Sequence, residues 1–268
     1  MRILQINNCH YRRGGADVVY LNTGDLLEKK GHDVFYFSQK NENNYPAKSD
    51  RFFIESIDFF NRSLFQKINL IPRFFYSKEA AAKLTELIKE CKPQIVHIHT
   101  YKGTLTPSIL KVLKKAKIPI VITLHDYGFL CPHNLFINGK MEICERCIKG
   151  SIMNCVIHKC NRNNFLLSTV TTAEFAFHRI KFPFDDYFNT MIAVSKFAQK
   201  IHIQSYKFKN IIKHLYNFYP ELKDTNSNNS KGSYFLFFGR LSKEKGISTL
   251  IKSWMTNSRS SILKIVGT

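Results

Sequence analysis

Short apolar runs alternate with longer amphipathic stretches along nearly the whole chain. The runs Arg2–Ile6, Val34–Phe37, Gln94–Thr100, Ile118–Leu124, Asn189–Ser195, Ile211–Leu215, Tyr234–Phe238 and Ile262–Val266 are rich in Ile, Leu, Val and Phe, as buried strands are. Between them, Ala16–Lys30, Ser77–Glu90, Thr106–Ala116, Asn161–Ile180, Lys196–Ser205 and Ile247–Trp254 read as helices. Strand and helix in strict alternation predict an α/β fold: a doubly wound, mostly parallel sheet covered by helices on both faces. The punctuation agrees. Gly31 stops the first helix, Ser77 stands at an N-cap position, Pro93 ends the helix before it, and Ser195 caps the helix that follows.

Two stretches break the alternation. Glu221–Gly232 is polar and poor in apolar residues, so it reads as a linker between a first domain, 1–220, and the start of a second, 233–268. Phe52–Tyr76 interleaves Phe, Leu and Ile with Arg and Lys. Two readings stand for it: the core face of a helix, or a surface that meets a membrane or a lipid acceptor.

Candidate chemistry sits where strands end. Gly14-Gly15 precedes the first helix, so a ligand can approach the backbone and the free amides of the helix start. It is not the Gly-x-Gly-x-x-Gly of dinucleotide enzymes. His97 and His99 share one face of a strand; they bind zinc there or are held by hydrogen bonds. The strand Ile118–Leu124 runs into His125-Asp126, at the sheet end where open α/β folds hold ligands. From position alone His125 and Asp126 are a ligand-site candidate, or else a helix cap or a structural hydrogen bond between the two. After Phe238 and Gly239, Arg240, Lys243 and Lys245 crowd one turn before a helix, which is either an anion site or a solvated basic loop.

Charge and cysteine usage narrow the class. The 268 residues hold 40 Lys and Arg against 20 Asp and Glu, a net charge of +20. Such a surface attracts polyanions. The basic residues are spread along the chain without any nucleic-acid-binding motif, so specific nucleic acid ranks below anionic ligands and an anionic membrane surface. No run of apolar residues is long enough to span a bilayer, and the N-terminus lacks a signal-peptide pattern, which places the chain in the cytoplasm, peripheral on the inner face of the membrane. Of seven cysteines, five crowd into the segment 131–160. The odd count argues against a disulfide framework. Cys144, Cys147, Cys155 and Cys160 have spacing compatible with a structural zinc site; free buried thiols and disulfides are the alternatives.

The segment Phe238-Gly-Arg-Leu-Ser-Lys-Glu-Lys-Gly246 resembles the motif that opens the second domain of family-4 retaining glycosyltransferases, which have the GT-B fold. Thr123-Leu-His-Asp126 and the Gly14-Gly15 turn are similar to that family's signatures at the matching places, and some relatives carry a comparable cysteine-rich insertion. Asn217-Phe218 departs from the Asn-Gly usual in the family. The resemblance implies a GT-B-like fold and transfer of a sugar from a UDP- or GDP-linked donor to a glycan or lipid-linked acceptor, with no cofactor required for catalysis. It implies that Arg240 and Lys245 hold the donor diphosphate, that Gly14 and Gly15 make room for it, and that His125 lies beside the sugar, with Asp126 as its partner or an acceptor contact; these two are the candidate catalytic pair. The family's paired glutamates and nucleotide-base pocket have no counterpart in these residues, so the chain alone is expected to transfer sugar poorly or not at all. The rivals are a non-catalytic binding protein and a zinc-stabilised polyanion-binding protein.

Overall fold

The computed structural model of the chain describes residues 1–56, 72–205, 211–219, 233–257 and 261–267. Its larger part is a six-stranded parallel sheet made of β1 (Arg2–Ile6), β2 (Asp33–Phe37), β3 (Ile95–Ile98), β4 (Ile120–Leu124), β5 (Thr190–Ala193) and β6 (Ile212–His214). The strand order is β2-β1-β3-β4-β5-β6. The chain first moves outward from β1 to β2, then crosses back to lay β3 on the other side of β1. Between β1 and β3 the winding reverses, and there the loops at the carboxyl ends diverge and leave a crevice.

The helices are α1 (Gly15–Lys29), α2 (Lys78–Cys91), α3 (Ser108–Lys115), α4 (Arg146–Lys149), α5 (Asn154–Ile157), α6 (Phe165–Lys181) and α7 (Lys196–Ser205). Alternate residues of β2 enter different apolar clusters: Phe37 and Phe35 pack with Leu4, Ile6, Leu84 and Ile98, whereas Val34 and Tyr36 pack with Tyr20, Leu21 and Phe53. The sheet is therefore covered on both faces, which is what its apolar strands require. Helix α1 closes through Gly31, whose φ of +79° is left-handed and suits glycine. Helix α2 starts where the Ser77 hydroxyl accepts from the Ala80 amide at 3.1 Å.

Two helices start later than the apolar pattern suggests. The expected helix from Asn161 begins only at Phe165, because Arg162 and Asn163 have φ of +54° and +53° and Asn164 caps the Leu167 amide. The expected start at Thr106 moves to Ser108, because Thr106 has a φ of +59°. Of the stretch Phe52–Tyr76, residues 57–71 lie outside the described residues. Phe52 and Phe53 are buried in the two apolar clusters, and Arg51 and Arg73 pair with Glu90 and Glu79. This part of the stretch is core and ion-paired surface. The linker 221–232 also lies outside the described residues. Among the described residues, no helix is long and apolar enough to cross a membrane.

A separate unit follows: β7 (Tyr234–Phe238), a 3-10 turn over Lys243–Lys245, α8 (Ile247–Asn257) and β8 (Ile262–Val266), with β7 and β8 paired in parallel. The strand ends meet so closely that a Cβ at Gly267 would lie 1.7 Å from the Gly239 carbonyl oxygen. Phe235 packs edge-on against Trp254, yet Phe235, Leu236 and Phe238 are 60%, 57% and 81% exposed.

Leu84 is fully buried between α2 and the sheet. Leu84→Ala is expected to lower unfolding stability by about 2–5 kcal/mol in urea titration, because a cavity replaces packed methyl groups. A loss of under about 0.5 kcal/mol would contradict this packing.

Candidate active site

The loops after β1, β3 and β4 enclose a cleft of about 220 Å³ beside the winding reversal. Asn8 and Arg13 enter it from the first loop, His99 to Lys102 from the second, and His125, Asp126, Phe129 and Asn134 from the third. The first two loops are tied together. Thr100 donates to Asn7 Oδ1 and accepts from the Asn8 amide, while Asn8 Nδ2 donates to the Lys102 carbonyl at 2.7 Å. Asn7 also donates to the buried Asp17 of α1 at 2.8 Å, so the helix start is fixed against the sheet edge.

A chain of polar side chains runs across β1, β3 and β4 beneath the cleft. Gln5 Oε1 accepts from His99 Nε2 at 3.2 Å. His99 then presents an unprotonated Nδ1, and His125 Nε2 donates to it at 2.9 Å. The other end of the Gln5 amide donates to His97 Nδ1 at 3.5 Å, and His97 Nε2 donates to Thr123 Oγ1 at 2.8 Å. Burial disfavours the imidazolium in all three: His97 and His125 are held down to about 4, and His99 well below its usual value. Each ring is neutral at pH 7, and each proton position follows from the orientation of Gln5. Of the two readings of His97 and His99, these contacts favour hydrogen-bonded histidines.

His125 thus lies in the cleft as expected, but its partner is His99 rather than Asp126. The chain turns at Asp126, whose Oδ1 accepts from the Gly128 amide at 2.8 Å. That local turn occupies one carboxylate oxygen, and the side chain stays exposed at the cleft wall. Gly14 is extended, with φ −158°, and offers no side-chain cap to α1. A Cβ at Gly15 would meet nothing within 4 Å. A Cβ at Gly14 would touch Asp17 Oδ2 at 3.7 Å, so neither glycine is demanded by backbone geometry and Gly15 leaves open space at the uncapped helix start.

The structure does not bring Arg240 and Lys245 into this cleft. Arg240 pairs loosely with Glu244 at 3.5 Å with 64% of its side chain exposed, and Lys245 is exposed on the turn closed by Gly246 at φ +72°. Asn8, Arg13 and Lys102 are cleft residues that sequence reading missed. The signal for them was positional: each follows the end of a strand.

The segment 131–160 forms a small lobe whose interior includes a sulfur-only cluster. Cys147, Cys155 and Cys160 pack against one another, Cys144 is buried nearby, and all seven cysteines are free and buried. Burial together with neighbouring thiols pushes Cys147 and Cys160 up to about 12, so they pack as neutral small hydrophobes. Among the described residues, no group of three or more His, Cys, Asp or Glu is arranged to hold a metal ion. The expected zinc set therefore has no formed site here, and the thiols match the alternative of free buried cysteines.

The family model described as Glycosyltransferase Family 4 matches residues 13–220. No curated protein matches the sequence. Among solved structures, the chain is similar to HepE of Anabaena, solved in complex with UDP-glucose, at 17% identity and a TM-score of 0.52, covering 99% of this chain and 60% of that one. It is also similar to sucrose-phosphate synthase of Thermosynechococcus elongatus, at 14% identity and a TM-score of 0.51, covering 99% of this chain and 62% of that one. The chain thus spans about 60% of the length of these structures. The likeness is one of fold: mostly parallel, Rossmann-like and of the GT-B type.

An unfolded histidine titrates near 6.5, whereas His97 and His125 stay neutral down to about 4. Between these values the unfolded chain binds more protons, so stability falls as pH drops through this window and is not affected by these groups above it. Urea midpoints measured from about pH 7.5 to 4.5 should fall steadily on the acid side. His99→Ala, which leaves Gln5 and His125 without their shared partner, should cost about 1–3 kcal/mol at neutral pH. A flat profile would contradict the neutral network.

Proposed function

From the premise that this chain belongs to Glycosyltransferase Family 4, we propose that it transfers a hexose, with retention of configuration, from a UDP- or GDP-linked donor to a glycan or lipid-linked acceptor. The product would enter polysaccharide or glycolipid assembly. The observation that carries this reading is the cleft at the winding reversal, lined by neutral His125 and by Arg13, which stands just before the uncapped start of α1. His125 lines the transferred sugar. Arg13 and the α1 amides face the diphosphate, with Gly14 and Gly15 giving it room. Arg240 and Lys245 complete the diphosphate site from the second unit and neutralise the charge that develops as the nucleotide leaves. In this scheme fixed cations and helix amides do the work a metal ion does elsewhere. Asp126, with one oxygen held by Gly128, keeps the other for an acceptor hydroxyl.

In this reading, 1–220 is the acceptor-side domain and 233–268 the beginning of the donor-side domain. The net charge of +20 suits a cytoplasmic protein held peripherally on an anionic membrane face. Turnover by this chain alone is weak or absent, because Arg240 and Lys245 stand apart from the cleft and β7 leaves its aromatic residues uncovered. Those same two features favour a second reading, a non-catalytic binding protein.

Titration with UDP-glucose and GDP-mannose separates the readings. Binding of either, weakened about tenfold by Arg240→Ala or Lys245→Ala through loss of a charge-assisted contact, supports the donor site. Absence of binding in both wild type and variants favours the second reading. Brisk sugar transfer by the purified chain contradicts the claim that it is weak alone.

A further inference from the structure

A second cleft, about 170 Å³, adjoins the first and shares Lys102 and Asn134 with it. Its far wall is one face of α6, where Thr171, Glu174, Phe175 and His178 follow one another at helical spacing. The hydrogen bonding here is incomplete in a specific way. His178 Nε2 donates to the Phe75 carbonyl at 3.1 Å. Burial keeps the ring neutral, down to about 4, so its Nδ1 carries a bare lone pair. That lone pair faces the Glu174 carboxylate at 3.7 Å. Two acceptors point at each other across the cleft wall, and among the described residues Glu174 accepts no hydrogen bond.

Lys102 supplies the opposite wall. Its ammonium donates to the Gly128 carbonyl and lies over the rings of Phe129, Phe175 and Phe184 at 5.1, 5.4 and 5.9 Å. Burial pushes the Glu174 carboxyl up while the Lys102 ammonium holds it down, yet the one ion-pair contact of Glu174 among the described residues is to His178. The gap between Lys102 and Glu174 opens toward the first cleft. What it lacks is a neutral group with several hydroxyl donors. A phosphate or carboxylate brings no donors and would meet the Glu174 carboxylate, which is half-buried and poorly screened. An apolar chain would leave both acceptors unsatisfied.

We propose that this second cleft is a subsite for an uncharged sugar ring of the acceptor. Glu174 and His178 accept from its hydroxyls, Phe175 lies under its apolar face, and Lys102 orients it so that a hydroxyl reaches the His125 cleft. The inference rests on the glycosyl-transfer reading and deepens it. It makes the acceptor a neutral saccharide at this position and makes Glu174 a residue that selects it.

The test uses the full chain, labelled for amide NMR, with methyl glucoside, methyl galactoside and methyl N-acetylglucosaminide as probes, and inorganic phosphate as the anionic control. At least one saccharide should shift the amides of Gly103, Thr171 and Glu174, and phosphate should not. Glu174→Ala should weaken that binding about tenfold, as loss of a charged acceptor does. Glu174→Gln, which keeps one acceptor oxygen and the same shape, should weaken it less. Thr171→Trp should abolish it by filling the cleft. Unchanged thermal melts show that each variant is folded. No saccharide binding, meaning a cleft that holds solvent only, overturns the proposal. So does binding that Glu174→Ala and Thr171→Trp leave unchanged, or phosphate shifting the same amides. Failure of the nucleotide-sugar titration, with saccharide binding intact, counts against the donor reading and leaves this subsite standing.

Discussion

Burial of imidazole beneath the carboxyl edge of the sheet is the constraint on which this structure depends. A parallel sheet covered on both faces offers its strand ends as the one place where side chains meet both core and solvent. Here β1, β3 and β4 each put a polar residue at that edge, and Gln5, His99 and His125 satisfy each other in sequence. A charged ring in this position would cost far more than a neutral one. Neutrality then sets the tautomers, the tautomers set the ring orientations, and the rings form the floor of the cleft. Of this network His99, Thr123 and His125 line the cleft, while Gln5 and His97 support them from below.

The positive charge of the chain is organised differently. It sits on exposed lysines and arginines: Arg13 lines the cleft from the first loop, the 240–245 turn stands apart from it, and the cleft's histidines carry no charge. In the proposed reading, the neutral floor meets the sugar and Arg13 meets the diphosphate. Lys102 is the exception, a cation drawn inward and surrounded by phenylalanine rings and a backbone carbonyl. Lys102 lines both clefts and stands between them.

Much of the fold was legible because parallel strands are continuous apolar runs and the helices carry ordinary stop signals. The Ser77 hydroxyl caps one helix, Gly31 closes another through its left-handed backbone, and Pro93 follows the end of α2. His125 was legible as a site residue from its position at a strand end. Its true partner was not, because His99 lies 26 residues away and the contact exists only once β3 and β4 pair. Asp126 misled for the opposite reason. Its nearest acceptor-seeking group is local, the Gly128 amide, and the turn it makes outweighs a longer reach to the imidazole. The cysteine lobe was opaque because it has no periodicity. Asn134, Phe136, Met141 and Lys159 all take left-handed φ, which no hydrophobic pattern announces. Spacing there suggested a metal site, while the fold packs sulfur against sulfur.

Nitrogen-15 NMR of the imidazole rings at pH 7 tests the central claim most directly. The account predicts neutral His97, His99 and His125, each protonated on Nε2, with the His99 Nδ1 shift marking an acceptor bonded to His125. An imidazolium at any of the three, or a proton on Nδ1 of His99, would contradict it.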